Sequence, residues 1–306
     1  MNPRLLKLFA ASLELVFAAC LWGFGFVAIV WALAAWSPAQ LLFLRFAIGG
    51  GVGLLISYFF SRPSRAEVYQ LFKLSFLPAA FLMWMVYFQT WGLQFTTATK
   101  SGFITVLYVV MVPIIDSVSE KRKIPVLVWF CILISLIGVG LIVNIKLDAD
   151  WSRGDFLTLI CALGGSLQIL SLDRVTGFIS RPFVFNTFQS LWCCLFALIL
   201  LPLEGPLVFS SHSGWLPWAG VLALALGGTL IAFFLQIKAQ KILSPTVSSL
   251  FFLLESPFAL LFAFLLLGER LQIREGLGAV LIILSACLAT TREQRKAQGT
   301  LQIPTP

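Results

Sequence analysis

Charge is scarce in this chain. Only 11% of its residues are charged and 59% are hydrophobic, against roughly a quarter charged in an ordinary soluble domain. A water-soluble fold has no interior large enough for so much apolar side chain, which excludes a soluble enzyme or binding module. Histidine is scarcer still: His212 stands alone in a polar connection. The six cysteines, Cys20, Cys131, Cys161, Cys193, Cys194 and Cys287, fall inside apolar runs with no CxxC pair. Neither a disulfide framework nor a zinc site is expected, and they read as small buried hydrophobes. There is no HExxH, no paired aspartate motif, no nucleophile elbow and no phosphate-cradling glycine loop. Alternation with period two is also missing, which excludes an outer-membrane barrel.

What is abundant is long apolar sequence. Polar or proline-containing breaks separate ten runs, near 13–33, 39–60, 69–93, 97–117, 124–144, 155–172, 182–202, 215–237, 244–267 and 273–291. Each is long enough to cross about 30 Å of hydrocarbon as helix, so ten transmembrane helices are predicted. The first run follows Arg4 and Lys7 and is too long for a signal-peptide core, so it reads as an uncleaved first helix. The segment after Thr291, TREQRKAQGTLQIPTP, has no apolar face, and residues 292–306 are expected to form a disordered cytoplasmic tail.

The net charge of +8 would point to nucleic acid in a soluble domain, but here the basic residues sit in the connections, where topology is decided. Alternating the connections between two sides puts fifteen basic residues on one, among them Arg62, Arg65, Lys121, Arg122, Lys123, Arg181, Lys238 and Lys241. The other side receives five, diluted by acids such as Asp148, Glu204 and Glu269. Both termini are therefore expected in the cytoplasm. Two halves of five helices can repeat only upside down relative to each other. A shift of 147 residues lays TTATKSGFITVLY, from Thr96, near LSPTVSSLFFLLE, so that Ser101 meets Ser248 and Tyr108 meets Glu255. Inverted repeats of this kind place a site near the midplane between them.

The segments LFLRF at Leu42–Phe46, SGFITVLYVVMVPII at Ser101–Ile115 and LLESPFALLFAFLLLGERL at Leu253–Leu271 resemble the EamA domains of the drug/metabolite transporter superfamily. The likeness covers nearly the whole chain. It departs at Ser119–Lys123, where the first half reads SEKRK in place of the Gly-Glu-Arg of the second. The resemblance implies an all-α integral membrane protein of two inverted five-helix repeats, residues 1–144 and 155–291. It also implies a carrier of the kind that exports amino acids, other metabolites or toxic compounds.

Glu255 is the most informative side chain, a carboxylate near the middle of the ninth run. An acid there must be paired, protonated or facing water, so it reads as a substrate contact or proton-binding group, or as an interhelical hydrogen bond. Ser248 and Phe252 share its helix face, and Ser101, Thr105 and Tyr108 share the corresponding face of the fourth run, giving two polar stripes toward one midplane. Arg45 is followed on its own face by Gly49 and Gly53, a strip that admits a neighbouring helix; it reads as a clamp for a substrate carboxylate or as a structural partner of an internal acceptor. Trp84, Tyr87, Trp91 and Gln94 form an aromatic face that either lines a cavity or meets lipid. Gln168, Asn186 and Gln189 are weaker candidates, and Pro113 and Pro257 are candidate gating bends.

The sequence thus predicts a secondary transporter of a small organic solute in a bacterial inner membrane, working by alternating access, with proton coupling through Glu255 as an optional addition. A membrane enzyme acting on a lipid-linked substrate, or a channel, are the competing readings. No cofactor, metal or nucleic acid is expected. The expected partners are the solute and membrane lipids, with the chain a monomer or weak homodimer.

Overall fold

The computed structural model describes residues 3–96, 98–121, 123–143, 151–204, 214–267 and 272–299. All the regular secondary structure within them is helical. Its helices are α1 (Pro3–Leu33), α2 (Pro38–Ile56), α3 (Arg65–Gly92), α4 (Ala98–Thr105), α5 (Tyr108–Glu120), α6 (Val126–Val143), α7 (Arg153–Thr176) and α8 (Pro182–Glu204). They continue with α9 (Trp215–Leu222), α10 (Phe233–Gln240), α11 (Pro245–Phe252), α12 (Glu255–Leu267) and α13 (Ile273–Gly299). Seven helical spans among the described residues are long and apolar enough to cross a membrane, and Val126–Ile142 is a shorter apolar helix. This is a multi-pass membrane protein.

Local chemistry sets the helix starts. Ser37, Ser64 and Ser152 each accept from the backbone amide three residues on, while Gln40, Glu67 and Asp155 reach back to the serine amide, closing a reciprocal cap at α2, α3 and α7. Ser244 caps α11 in the same position, with Pro245 at the first helical residue, where its missing N–H costs nothing.

Two departures from α geometry shape the interior of the bundle. Ala223–Ala232, between α9 and α10, is a π segment. Asn186 on α8 donates its side-chain amide to the carbonyls of Thr229 at 3.1 Å and Leu230 at 3.0 Å, occupying acceptors that an ordinary helical ladder would use. The second departure is a matched pair of interruptions. α4 stops at Thr105 and α5 starts at Tyr108; α11 stops at Phe252 and α12 starts at Glu255. A shift of 147 residues carries each of these boundaries onto the other pair. Both gaps are bridged by tight i→i+3 bonds, Val109 to Val106 at 3.0 Å and Ser256 to Leu253 at 3.1 Å.

The helices pack in recurring pairs: α2 on α8, α3 on α7, α6 on α13, and α1 along α9, α10 and α12. Small residues permit the closest crossings. Gly49 lies against the Ala225 carbonyl and Thr229, and Gly53 against Thr187, as the strip after Arg45 predicts. Where α6 crosses α13, Gly138 and Gly278 face each other, and Ser135 donates to Ser285 at 2.7 Å. Around this interior, large apolar side chains point outward, Leu55 at 62% and Leu265 at 60% exposure among them, because hydrocarbon solvates them as well as a core does. The same equivalence corrects the expectation for cysteine: Cys131, Cys161 and Cys193 are buried, but Cys20 and Cys194 are half-buried and Cys287 is exposed.

Two further expectations change. α13 continues past Thr291 to Gly299, because the Arg, Glu, Gln, Lys and Ala of that stretch are good helix formers even without an apolar face; residues 300–306 and His212 lie outside the described residues. The helix interruptions also lie upstream of the prolines. Pro257 sits in the first turn of α12, where its ring would clash with the Leu253 carbonyl if α11 ran on, whereas α5 continues through Pro113.

A Cβ on Gly138 would stand 2.7 Å from the Gly278 carbonyl oxygen. Gly138→Val is therefore expected to cost about 1–3 kcal/mol, the usual penalty for overpacking. Thermal unfolding in detergent measures it, and an unchanged midpoint would show that the α6–α13 crossing is looser than described.

Candidate functional site

The site is built around the two interruptions. Tyr108 opens α5 and Glu255 opens α12, each as the first residue after its break, and both side chains are buried, at 2% and 8% exposure. Tyr108 and Glu255 face the same interior space between α5 and α12. Both line a central cavity with about 70 Å³ of space for the centres of water-sized molecules. By that measure one water needs roughly 10–15 Å³, so the space suits a solute of a few heavy atoms without rearrangement.

Each wall has its own chemistry. α1 and α10 supply an aromatic side in which Trp22 meets Phe233 at 5.3 Å and, edge-on, Phe252 of α11 at 5.2 Å; the Trp22 indole donates to the Gly228 carbonyl at 3.3 Å. α3 contributes Met85, Val86 and Gln89, and Gln89 donates to Thr105 at 3.4 Å. α7 contributes Gly165 and Gln168. Gln236 of α10 donates to Gln168 at 3.0 Å and to Gln240 at 2.9 Å, and Gln240 donates to the Ile169 carbonyl at 3.1 Å, so a glutamine bridge ties α10 to α7. Arg45 of α2 completes the lining, with its Nε donating to Thr229 at 2.7 Å and its guanidinium 5.4 and 5.9 Å from the rings of Phe46 and Phe233.

Ties between helices close the bundle at both ends. At the end where α1 and α3 begin, Lys238 pairs with Glu14, Lys241 donates to the Ile179 carbonyl, and Arg181 meets Glu67 at 3.0 Å. At the other end Glu204 accepts from the Ala39 amide of α2 at 2.7 Å and from the Tyr87 hydroxyl of α3 at 3.2 Å. Its carboxylate also stands at the N-terminus of α2, where a negative charge is favoured.

The structure sorts the predicted residues. Glu255, Tyr108, Arg45 and Gln168 share the cavity. Ser101 and Thr105 do not line it: Ser101 bonds Thr158 at 3.1 Å, and Thr105 faces Gln89 and Cys161, so the expected stripe is a buried seam between α4 and α7. Ser248 and Gln189 are buried away from the lining, with side-chain atoms that have no hydrogen-bond partner among the described residues. The aromatic face of α3 is also off the cavity. Trp84 donates to the Ile160 carbonyl, Tyr87 to Glu204, and Trp91 lies under Arg153 at 5.1 Å, because the face of α3 turned inward is the one bearing Met85, Val86 and Gln89. Gln89 and Gln236 carry a signal that helical spacing does not isolate, an amide inside or at the edge of an apolar run; nothing in the sequence singles out Trp22 or Phe233.

An apolar helical bundle that keeps an arginine, a glutamate and a set of amides around an internal cavity has the architecture of a membrane transport protein. The chain belongs to the EamA-like transporter family, whose model matches residues 10–144 and again 152–291. An uncharacterized transporter of Archaeoglobus fulgidus is 29% identical over 92% of this chain and 86% of its own length. The uncharacterized transporter YetK of Bacillus subtilis is 26% identical over 78% of this chain and 74% of its own. A protein of known crystal structure shares the fold with a TM-score of 0.75 at 19% identity, over 93% of this chain and 98% of that one. The chain is thus a membrane transporter and not an enzyme.

Glu204→Ala removes the acceptor of one helix-terminal amide and one phenol. It is expected to lower stability by about 1–2 kcal/mol, read as a drop in the unfolding midpoint. Glu204→Gln, which keeps an acceptor oxygen, should fall between, and equal midpoints for all three proteins would rule out this tie.

Proposed function

We propose that the chain crosses a bacterial inner membrane ten times, with both termini in the cytoplasm, as two inverted five-helix repeats that alternate access to the central cavity and export a small organic solute. The observation that carries the reading is the pairing of the two helix interruptions. Tyr108 and Glu255 are related by the same 147-residue shift as the ends of their helices, and both line one cavity. Irregular backbone at membrane depth is tolerated where it borders a cavity or is buried in protein, and carriers place such breaks at the binding site. The two separate matches to the family model agree with a boundary between repeats near residues 144–152.

In this reading Glu255, Tyr108, Arg45 and Gln168 contact the solute. The glutamine bridge and the Lys238–Glu14 pair close one entrance, and the Glu204 tie narrows the other. Residues 106–107 and 253–254, together with Pro113 and Pro257, supply the bends about which the halves move. Glu255 takes up a proton when the solute leaves, which couples export to the proton gradient.

Purified protein in sealed vesicles should show saturable counterflow of a transported solute, faster under an imposed pH gradient. Glu255→Gln should retain counterflow but lose the response to the gradient. Single-channel currents without counterflow would overturn the carrier, and a gradient response that survives in Glu255→Gln would overturn the coupling alone.

A further inference from the structure

Lys73 is a charge set on the outer surface of a membrane-spanning helix. It stands two turns into α3, within the span Arg65–Gly92, and its side chain is exposed. No ion pair among the described residues involves it; its ammonium group lies 4.2 Å from the centre of the Tyr69 ring, one turn back toward the start of the helix. A long cationic side chain at this depth extends toward the headgroups, and the exposed Tyr69 ring holds it in that direction. Arg62 and Arg65, also exposed, add positive charge at the same end of α3. Glu67, the one acid of α3, does not offset them, because Arg181 engages it at 3.0 Å.

Deeper along the same helix face, at spacings of three and four residues from Tyr69 and Lys73, is an aromatic wall shared with α8. Phe72 and Phe76 are 39% and 45% exposed. Trp192 stands 4.5 Å from Phe72 and 5.0 Å from Phe76, and Phe196 lies 5.9 Å from Phe76. The Trp192 indole donates to the Phe72 carbonyl at 3.0 Å, which fixes its ring against α3. None of these residues lines the central cavity; they face the bilayer. A fixed row of rings below a cation matches a phospholipid, charged at one end and apolar along its length. A headgroup with net negative charge suits Lys73 best, because a zwitterionic one carries its own ammonium group to compete for the phosphate. We propose that the α3–α8 face binds one anionic phospholipid in preference to zwitterionic ones. Lys73 meets the phosphodiester, and an acyl chain lies along Phe72, Phe76, Trp192 and Phe196.

The test titrates the purified full-length chain, in a nonionic detergent, with dioleoyl phosphatidylglycerol and with dioleoyl phosphatidylcholine. Each lipid is also used with brominated acyl chains, which quench tryptophan fluorescence on contact. Phosphatidylglycerol is expected to bind about fivefold tighter, the equivalent of about 1 kcal/mol for one lysine beside an anionic headgroup, and its brominated form to quench more strongly. Lys73→Gln should erase both differences and Lys73→Arg should keep them. Lys123→Gln, which removes an exposed charge outside this face, should change neither. Trp192→Phe should lose the excess quenching, since it removes the indole that the chain touches. Equal affinity for the two lipids overturns the proposal, as does a preference that survives Lys73→Gln or disappears in Lys123→Gln. Excess quenching that persists in Trp192→Phe overturns it too. So does equally tight binding of glycerophosphoglycerol, which carries the phosphodiester without acyl chains and would mark an anion site rather than a lipid site.

Discussion

Inside a bilayer a backbone amide or carbonyl without a partner costs several kcal/mol, and no water is at hand to supply one. That constraint shapes the departures from regular helix inside the bundle. The α4–α5 break at 106–107 and the α11–α12 break at 253–254 turn inward, where Val106 and Leu253 are fully buried and i→i+3 bonds keep the chain hydrogen-bonded. The π segment of Ala223–Ala232 shows the same economy, with Asn186 supplying donors to two carbonyls of the altered ladder. These three stretches frame the cavity, whereas the π turn Ser57–Ser61 that follows α2 lies away from it and leaves Tyr58, Phe59 and Phe60 exposed.

The same solvent removes the usual reason for helices to associate. Lipid tails accept leucine and phenylalanine as readily as a core does, so affinity between helices rests on close approach and on polar bonds that hydrocarbon cannot replace. The Gly138–Gly278 crossing with its Ser135–Ser285 bond, and the glycine strip of α2 against α8 and the π segment, are of this type. Polar side chains between the helices therefore have two tasks, holding the bundle together and lining its cavity, and the hydrogen bond from Arg45 to Thr229 serves both.

Solvent of this kind also decides how much of the site is legible in the sequence. An ionisable group deep in an apolar run is conspicuous whatever the helix orientation, so Glu255 and Arg45 stand out by composition alone, and Tyr108 follows from Glu255 through the 147-residue shift. Orientation is harder, because lipid-facing and cavity-facing walls are both apolar. The Trp84, Tyr87 and Trp91 periodicity on α3 is real, but it describes a face turned away from the cavity. The breaks are illegible for a different reason. Val106, Leu107, Leu253 and Leu254 are ordinary helix residues in a membrane, and only Pro257 hints at the second interruption.

The π segment also alters what length means along the eighth apolar run. The residues that reach the cavity there are Leu224, Gly228, Phe233 and Gln236, and the five-residue step from Gly228 to Phe233 belongs to the widened turn rather than to a 3.6-residue repeat. Removing one residue from that stretch would turn the five-residue step into the four-residue step of an ordinary turn, so Phe233 and Gln236 would keep their place on the wall. A deletion in a regular helix beside the cavity has no widened turn to absorb it and would rotate everything beyond it by about 100°. The lining of this transporter is therefore encoded partly as a register, and the π segment is the place along it where chain length can change by one residue without exchanging the wall.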